Sequence, residues 1–177
     1  MLNLALVCVA LVAPQAGPSS VEAAFERFEH EHGAGWRLDV DEGTGQLEFL
    51  FGKSLAPSFE PHSEREWFTL AREALARTQE LFGIEPQTLV EERVLFLPLG
   101  MVGTSDKWTV SFAQRVNGVP VEQGSVNVLF DARGRMLAVQ AHALPGIAGL
   151  VLLAAPLAAV FAAGGGGLLA AFLAQEA

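Results

Sequence analysis

The apolar positions change period along the chain, and each change predicts an element. Val21, Ala24, Phe25 and Phe28 recur at helical spacing. They follow Ser19-Ser20-Val21-Glu22, a capping-box signature, and precede Gly33, which suits a helix end. The period then drops to two. Trp36, Leu38 and Val40 alternate with Arg37, Asp39 and Asp41, and Leu47, Phe49 and Phe51 alternate beyond the turn Asp41-Glu42-Gly43-Thr44-Gly45. This predicts a β-hairpin with those six residues as its apolar face.

Gly52–Pro61 reads as a loop, and Ser63-Glu64-Arg65-Glu66 as a second capping box. Trp67, Leu70, Ala71, Ala74, Leu75, Thr78, Leu81 and Phe82 then form one stripe closed by Gly83. The stripe predicts one long helix able to cover most of a sheet face. Leu89–Leu97, bounded by Pro86 and Pro98, is an expected strand, and Leu99–Ser105 a loop. From Lys107 to Gln140 three strands follow. Trp108, Val110, Phe112, Gln114 and Val116 share a face of the first, and Asn117-Gly118 is the strongest short hairpin signal, because both residues tolerate positive φ. Asp131-Ala132-Arg133-Gly134 makes the next tight turn. Pro120 has no N–H, so it belongs at a strand start, an edge or a bulge. The predicted class is α+β: an antiparallel β-sheet packed on one long helix. Gln114 stands out as an amide on an apolar face, and a buried amide needs partners. The turn backbone near Asn117–Pro120 is the expected one; a surface facing a second protein is the alternative.

Charge and composition narrow the function classes. The 177-residue chain is long enough for one domain with a core, and its formal net charge is −9. A phosphate-tracking surface needs Lys and Arg in excess, whereas acidic residues outnumber them here 20 to 11, only two lysines occur, Lys53 and Lys107, and no basic cluster exists, so no nucleic-acid partner is expected. The single cysteine, Cys8, leaves no disulfide within the chain.

The apolar fraction of 51% is concentrated at the two ends. Leu2–Ala13 has the length of a signal-peptide core, and Ala13-Pro14-Gln15-Ala16-Gly17 offers a cleavage site after Ala16. Residues 1–16 are therefore expected to be a signal peptide and 19–144 the folded domain. Residues 147–173 carry no charge. At about 1.5 Å per residue they reach across a bilayer core of roughly 30 Å. Pro156 and Gly164–Gly167 interrupt them. Four glycines cost about 3–4 kcal/mol of helix propensity, against roughly −4 to −7 kcal/mol from the large apolar residues. A transmembrane anchor there is the first expectation, with the membrane as a partner, and a low-complexity apolar tail the second.

Catalytic chemistry finds no foothold. His30 and His32 lie two apart, on different faces of a helix, which is wrong for a metal pair. His30-Glu31-His32 lacks the i, i+4 histidines of a zinc-binding His-Glu-x-x-His. His62 and His142 are isolated. Glu91, Glu92 and Glu122 have nothing to converge them into an acid–base pair, and Ser105-Asp106 and Ser111 have no placed histidine. Gly164–Gly167 lacks the Lys-Ser/Thr of a phosphate loop. No enzyme activity, metal or cofactor is expected.

One pattern reaches beyond periodicity. Gln114, Gly118, Val119, Pro120, Val121, Gly124, Asp131 and Gly134, with the apolar strand Val126–Phe130 between them, resemble the core of the fungalysin/thermolysin propeptide (FTP) domain, a relative of the PepSY domain. The resemblance extends from about Trp36 to Gly146. In that family the domain precedes a zinc metallopeptidase, assists its folding and keeps it inactive until cleavage. The resemblance therefore implies an exported, non-catalytic domain with a metallopeptidase as partner, secreted or held in the cell envelope. No His-Glu-x-x-His occurs in this chain, so any inhibition is expected to act in trans. The alternatives are a truncated N-terminal remnant of a secreted metallopeptidase precursor, and a membrane-tethered envelope module with a structural role.

Overall fold

The computed structural model describes residues 18–147. The expected signal peptide, 1–16, and residues 148–173 of the expected anchor lie outside the described part. Among the described residues no helix is long and apolar enough to cross a membrane.

The described elements are α1 (Pro18–His32), β1 (Arg37–Val40), β2 (Leu47–Leu55), α2 (Glu64–Arg77), α3 (Gln79–Phe82), β3 (Leu89–Leu97), β4 (Lys107–Val116), β5 (Val119–Asp131) and β6 (Met136–Ala141). The six strands form one sheet in the order β1-β2-β6-β5-β4-β3, and every neighbouring pair is antiparallel. β3 to β6 make a meander of adjacent hairpins. The N-terminal hairpin then docks on its far side through β2 and β6. The α+β class and the antiparallel sheet match the sequence pattern.

The single long helix does not. The stripe from Trp67 to Phe82 divides at Thr78, whose backbone lies outside the helical region at φ −103° and ψ 5°. The buried Thr78 hydroxyl donates to the carbonyls of Ala74 and Leu75, 3.1 and 3.3 Å away. A side chain bonded back to the preceding turn competes with the backbone ladder and bends a helix. Two helices result, α2 and the four-residue α3, and α3 ends at Gly83 with φ +63°. α1 adds a third helical element, with Ala24 and Phe28 in the core. It begins at Pro18, two residues earlier than its capping-box signature suggests, and a proline in the first turn loses no hydrogen bond. The second capping box holds: the Ser63 hydroxyl accepts from the Glu66 N–H at 3.3 Å, and the Glu66 carboxylate accepts from the His62 N–H at 2.7 Å.

The helices lie on one face of the sheet. Trp67 stacks on Trp108 with ring centroids 4.9 Å apart, and Phe68 meets Phe112 edge to face at 5.8 Å. Leu50, Val110, Phe112, Val126, Val128 and Val139 form the fully buried floor beneath them. On the opposite face, Phe51, Ala138, Leu129, Thr109 and Leu95 stand side by side across five strands.

The hairpin's expected apolar face is corrected at one point. Asp39 pairs with Phe49, yet Val40 pairs with Leu47, so Glu48 is an extra residue on β2. A bulge shifts the two-residue period by one. Leu47 and Leu50 are buried, whereas Phe49 and Phe51 turn to the outer face and stack on each other at 5.0 Å.

Candidate functional site

The eight motif residues occupy β4, β5 and the turns that join β4 to β6, and most of them have a structural task. Gln114 is completely buried. Its amide reads both backbone groups of one residue far along the chain: Nε2 donates to the Leu144 carbonyl at 2.8 Å, and Oε1 accepts from the Leu144 N–H at 2.9 Å. Nε2 also reaches the Thr88 hydroxyl at 3.4 Å, and that hydroxyl donates to the Glu85 carbonyl at 2.7 Å. The side-chain amide thus behaves as an extra peptide unit, satisfying the polar groups of the segment that leaves β6. This corrects both expectations for Gln114: its partner is neither the Asn117–Pro120 turn nor a second protein.

The same position explains Gly124. Ala113 pairs with Ser125 and Arg115 with Pro120, so the four residues Val121–Gly124 stand opposite Gln114 alone. Within this bulge Gln123 adopts φ +58°. A Cβ on Gly124 would lie 2.9 Å from Val121 Cβ and 3.0 Å from Gln114 Cβ, closer than carbon atoms pack. Glycine is needed there for space, and Val121 and Gln114 supply the crowding. Pro120 sits on the exposed side of this bulged stretch, where a missing N–H is tolerated.

The turns carry the rest. Asn117 (φ +50°) and Gly118 (φ +83°) make the β4–β5 turn, and the Arg115 guanidinium donates to the Gly118 carbonyl at 3.0 Å. Val119, next in line, is exposed. At the β5–β6 turn, Asp131 Oδ1 accepts from the N–H groups of Arg133 and Arg135, both at 2.9 Å, while Oδ2 accepts from Arg135 Nε at 2.6 Å. Burial by itself would raise the pKa of this carboxyl. The Arg135 N–H, the Arg135 guanidinium and the Arg133 N–H outweigh it and hold the group below the usual carboxylate range. Gly134 closes the turn at φ +80°, and a Cβ on it would meet Pro61 Cδ at 2.9 Å and Leu70 Cδ2 at 3.0 Å. That glycine lets the turn tuck under the loop before α2.

The residues weighed for catalysis stay apart. His32 packs edge-on against Phe28 in the last turn of α1, and His142 lies 3.7 Å from Glu48 and 3.2 Å from Gln140. Glu91 pairs with Arg72 at 2.9 Å. Ser111 donates to Asn127 at 2.7 Å, and the Ser105 hydroxyl accepts from the Lys107 ammonium at 2.6 Å. Among the described residues no three histidine, cysteine or acidic side chains come close enough to hold a metal ion. Thr88 and Leu144 are the partners the sequence did not reveal. They lie 26 and 30 residues from Gln114, and neither periodicity nor turn chemistry spans such a gap.

Residues 109–143 match the family model described as the Fungalysin/Thermolysin Propeptide Motif. The chain carries that propeptide motif. The match begins in β4, two residues after its start, and ends at Ala143, beside the residue that Gln114 holds. All eight residues singled out from the sequence fall inside it. No curated protein and no solved structure matches the chain. The motif therefore covers the three-stranded β4–β6 unit with its two turns, and the buried polar groups of Gln114 and Asp131 find their partners within the fold: the backbone of Leu144, Arg133 and Arg135, the Thr88 hydroxyl and the Arg135 guanidinium.

Proposed function

We propose that this protein is a non-catalytic, propeptide-like domain that binds a thermolysin-like zinc metallopeptidase, holding it inactive or helping it fold. The observation that carries this reading is the propeptide motif over residues 109–143, laid on three strands whose polar side chains serve the fold. A motif of that kind belongs to precursors of exported peptidases, so the reading also puts the domain outside the cytoplasm.

The test mixes the purified full chain with thermolysin-like peptidases, following hydrolysis of a peptide substrate and the recovery of activity after the peptidase is denatured and diluted. Lower activity supports inhibition, and a higher refolding yield supports folding assistance. If neither changes at a several-fold excess of the chain, the reading is wrong.

A further inference from the structure

Among the described residues the sheet is covered on one face only, by the helices. Strand alternation sorts charge as well as hydrophobicity onto the other. Arg37 pairs with the outward Phe51, and Arg93 with Ser111, which lies beside the outward Thr109 row, so both point outward at opposite edges of the sheet. Lys107 and Arg115 join them by two-residue alternation along β4. Of the 20 acidic residues the same alternation brings only Asp39 and Asp131 to this face, and Asp131 is matched by Arg135 at 2.6 Å. Glu48, Glu92 and Glu122 fall in bulges, outside the alternation, and Glu48 lies 3.7 Å from His142. Arg37, Arg93, Lys107 and Arg115 form no ion pair among the described residues. A chain of net charge −9 thus presents an unpaired cationic rim around an apolar centre of Phe49, Phe51, Leu129 and Ala138.

We propose that this outer face is where the peptidase partner docks, through an apolar patch of its own ringed by carboxylates. The proposal rests on the propeptide-like reading above. An apolar centre inside a polar rim is the anatomy of a protein interface, and arginine is enriched there because its planar guanidinium takes a carboxylate by two parallel hydrogen bonds. Two other occupants fit worse. A second copy laid face to face would set cation against cation, because Arg37 and Arg93 hold the two opposite edges and whichever edges meet are alike in sign. An anionic bilayer attracts clustered lysines and arginines. Here the cations stand apart around the rim, and the chain as a whole is acidic. A protein with its own acidic rim answers both the apolar centre and the spacing of the charges.

The experiment uses the full chain and the thermolysin-like peptidase whose activity or refolding it changes, with affinity measured by titration at low salt. Arg37→Glu and Arg93→Glu reverse exposed charges at opposite edges of the face, and each is expected to weaken binding by about tenfold or more. Arg65→Glu makes an equal reversal at an exposed position on α2 and is expected to change it by less than about twofold. Urea midpoints of the three variants confirm that the fold is kept. Wild-type affinity in both outer-face variants overturns the docking face and leaves the propeptide-like reading standing. Loss at only one of the two also overturns it, because the partner then sits on a single edge of the sheet, and so does an equal loss in Arg65→Glu. A wild-type chain that binds no such peptidase overturns the reading itself, and the docking face with it.

Discussion

Two parts of one sheet, the β1–β2 hairpin and the β4–β6 meander, are both bulged, but they take their shape from different sources. In the hairpin, Glu48 is an ordinary residue in an ordinary strand, and nothing about it marks the shift of register. Its consequence is borne by apolar side chains: Leu50 goes in, and Phe49 and Phe51 go out. In the meander only the shift that leaves Leu137 extra on β6 is unmarked; the turns and the β5 bulge are marked by residues with few substitutes: Gly124 where a Cβ would collide, Gly118 and Gly134 where φ is positive, and Gln114 where a backbone needs partners. Pooled apolar burial defines the first region and individual contacts define the second.

The strongest way to break this comparison is to reverse the hairpin's faces. Leu50→Ala empties a fully buried site and should cost about 2–5 kcal/mol in urea unfolding. Phe49→Ala should cost about 1 kcal/mol, the scale of one aromatic pair. Strict alternation from Leu47 predicts the opposite ranking, so a larger loss at Phe49 would remove the bulge from the account.

Gln114→Leu comes next. It keeps the apolar contacts and strips the Leu144 N–H and carbonyl of their partner, at an expected cost of about 2–4 kcal/mol. Hydrogen exchange separates this from general weakening: the Leu144 amide should lose protection before those of the β5 ladder do. Thr88→Val removes the longer contact together with the hydroxyl's bond to the Glu85 carbonyl, leaves both Leu144 bonds in place, and should cost about 1–2 kcal/mol. Equal protection at Leu144 in Gln114→Leu and wild type would mean that the clasp does not hold the end of the domain.

These cases show what the sequence made legible. β3 was bounded by Pro86 and Pro98 and found as such, and both meander turns were placed from Asn117-Gly118 and Asp131–Gly134, because turn chemistry is local. The division of the long helix at Thr78 was hidden, since threonine also fits a helical stripe and only its hydroxyl's bond to Ala74 reveals the break. For Gln114 the need for a partner was plain from its place on an apolar face. The partner's identity was not, because the meander must close before Leu144 arrives beside it.

Two glycines sharpen the comparison within the meander. Gly134 and Gly118 have nearly the same φ, +80° and +83°, but only Gly134 is crowded, by Pro61 and Leu70; nothing lies within 4 Å of a Cβ on Gly118. Gly118→Ala should show the backbone strain alone, about 1 kcal/mol. Gly134→Ala should add overpacking and reach about 2–3 kcal/mol. Thermal unfolding of the two variants side by side checks this, and equal losses would mean that space under the loop is not what selects glycine at 134.

The smallest expected effect concerns acid. Asp131 is held below the ordinary carboxylate range in the folded chain. A carboxyl whose folded pKa lies below its unfolded value stabilises the fold at pH values above the unfolded pKa, roughly pH 4, and that contribution disappears as pH falls through the lower folded value. Asp131→Asn keeps the side chain's size but gives up the charge. It should lower stability at neutral pH by about 1 kcal/mol, a modest figure because Arg135 is half exposed and screened by solvent. It should also flatten the fall in stability below pH 4. A residual slope will persist, because Thr44 depresses the Asp41 carboxyl and the His62 N–H depresses that of Glu66. Urea midpoints measured between pH 7 and pH 3 check the prediction: the gap between wild type and Asp131→Asn must narrow on the acid side. Parallel curves would mean that the charge on Asp131 is dispensable and that its hydrogen bonds to the turn backbone, which an asparagine can keep in part, carry the whole effect.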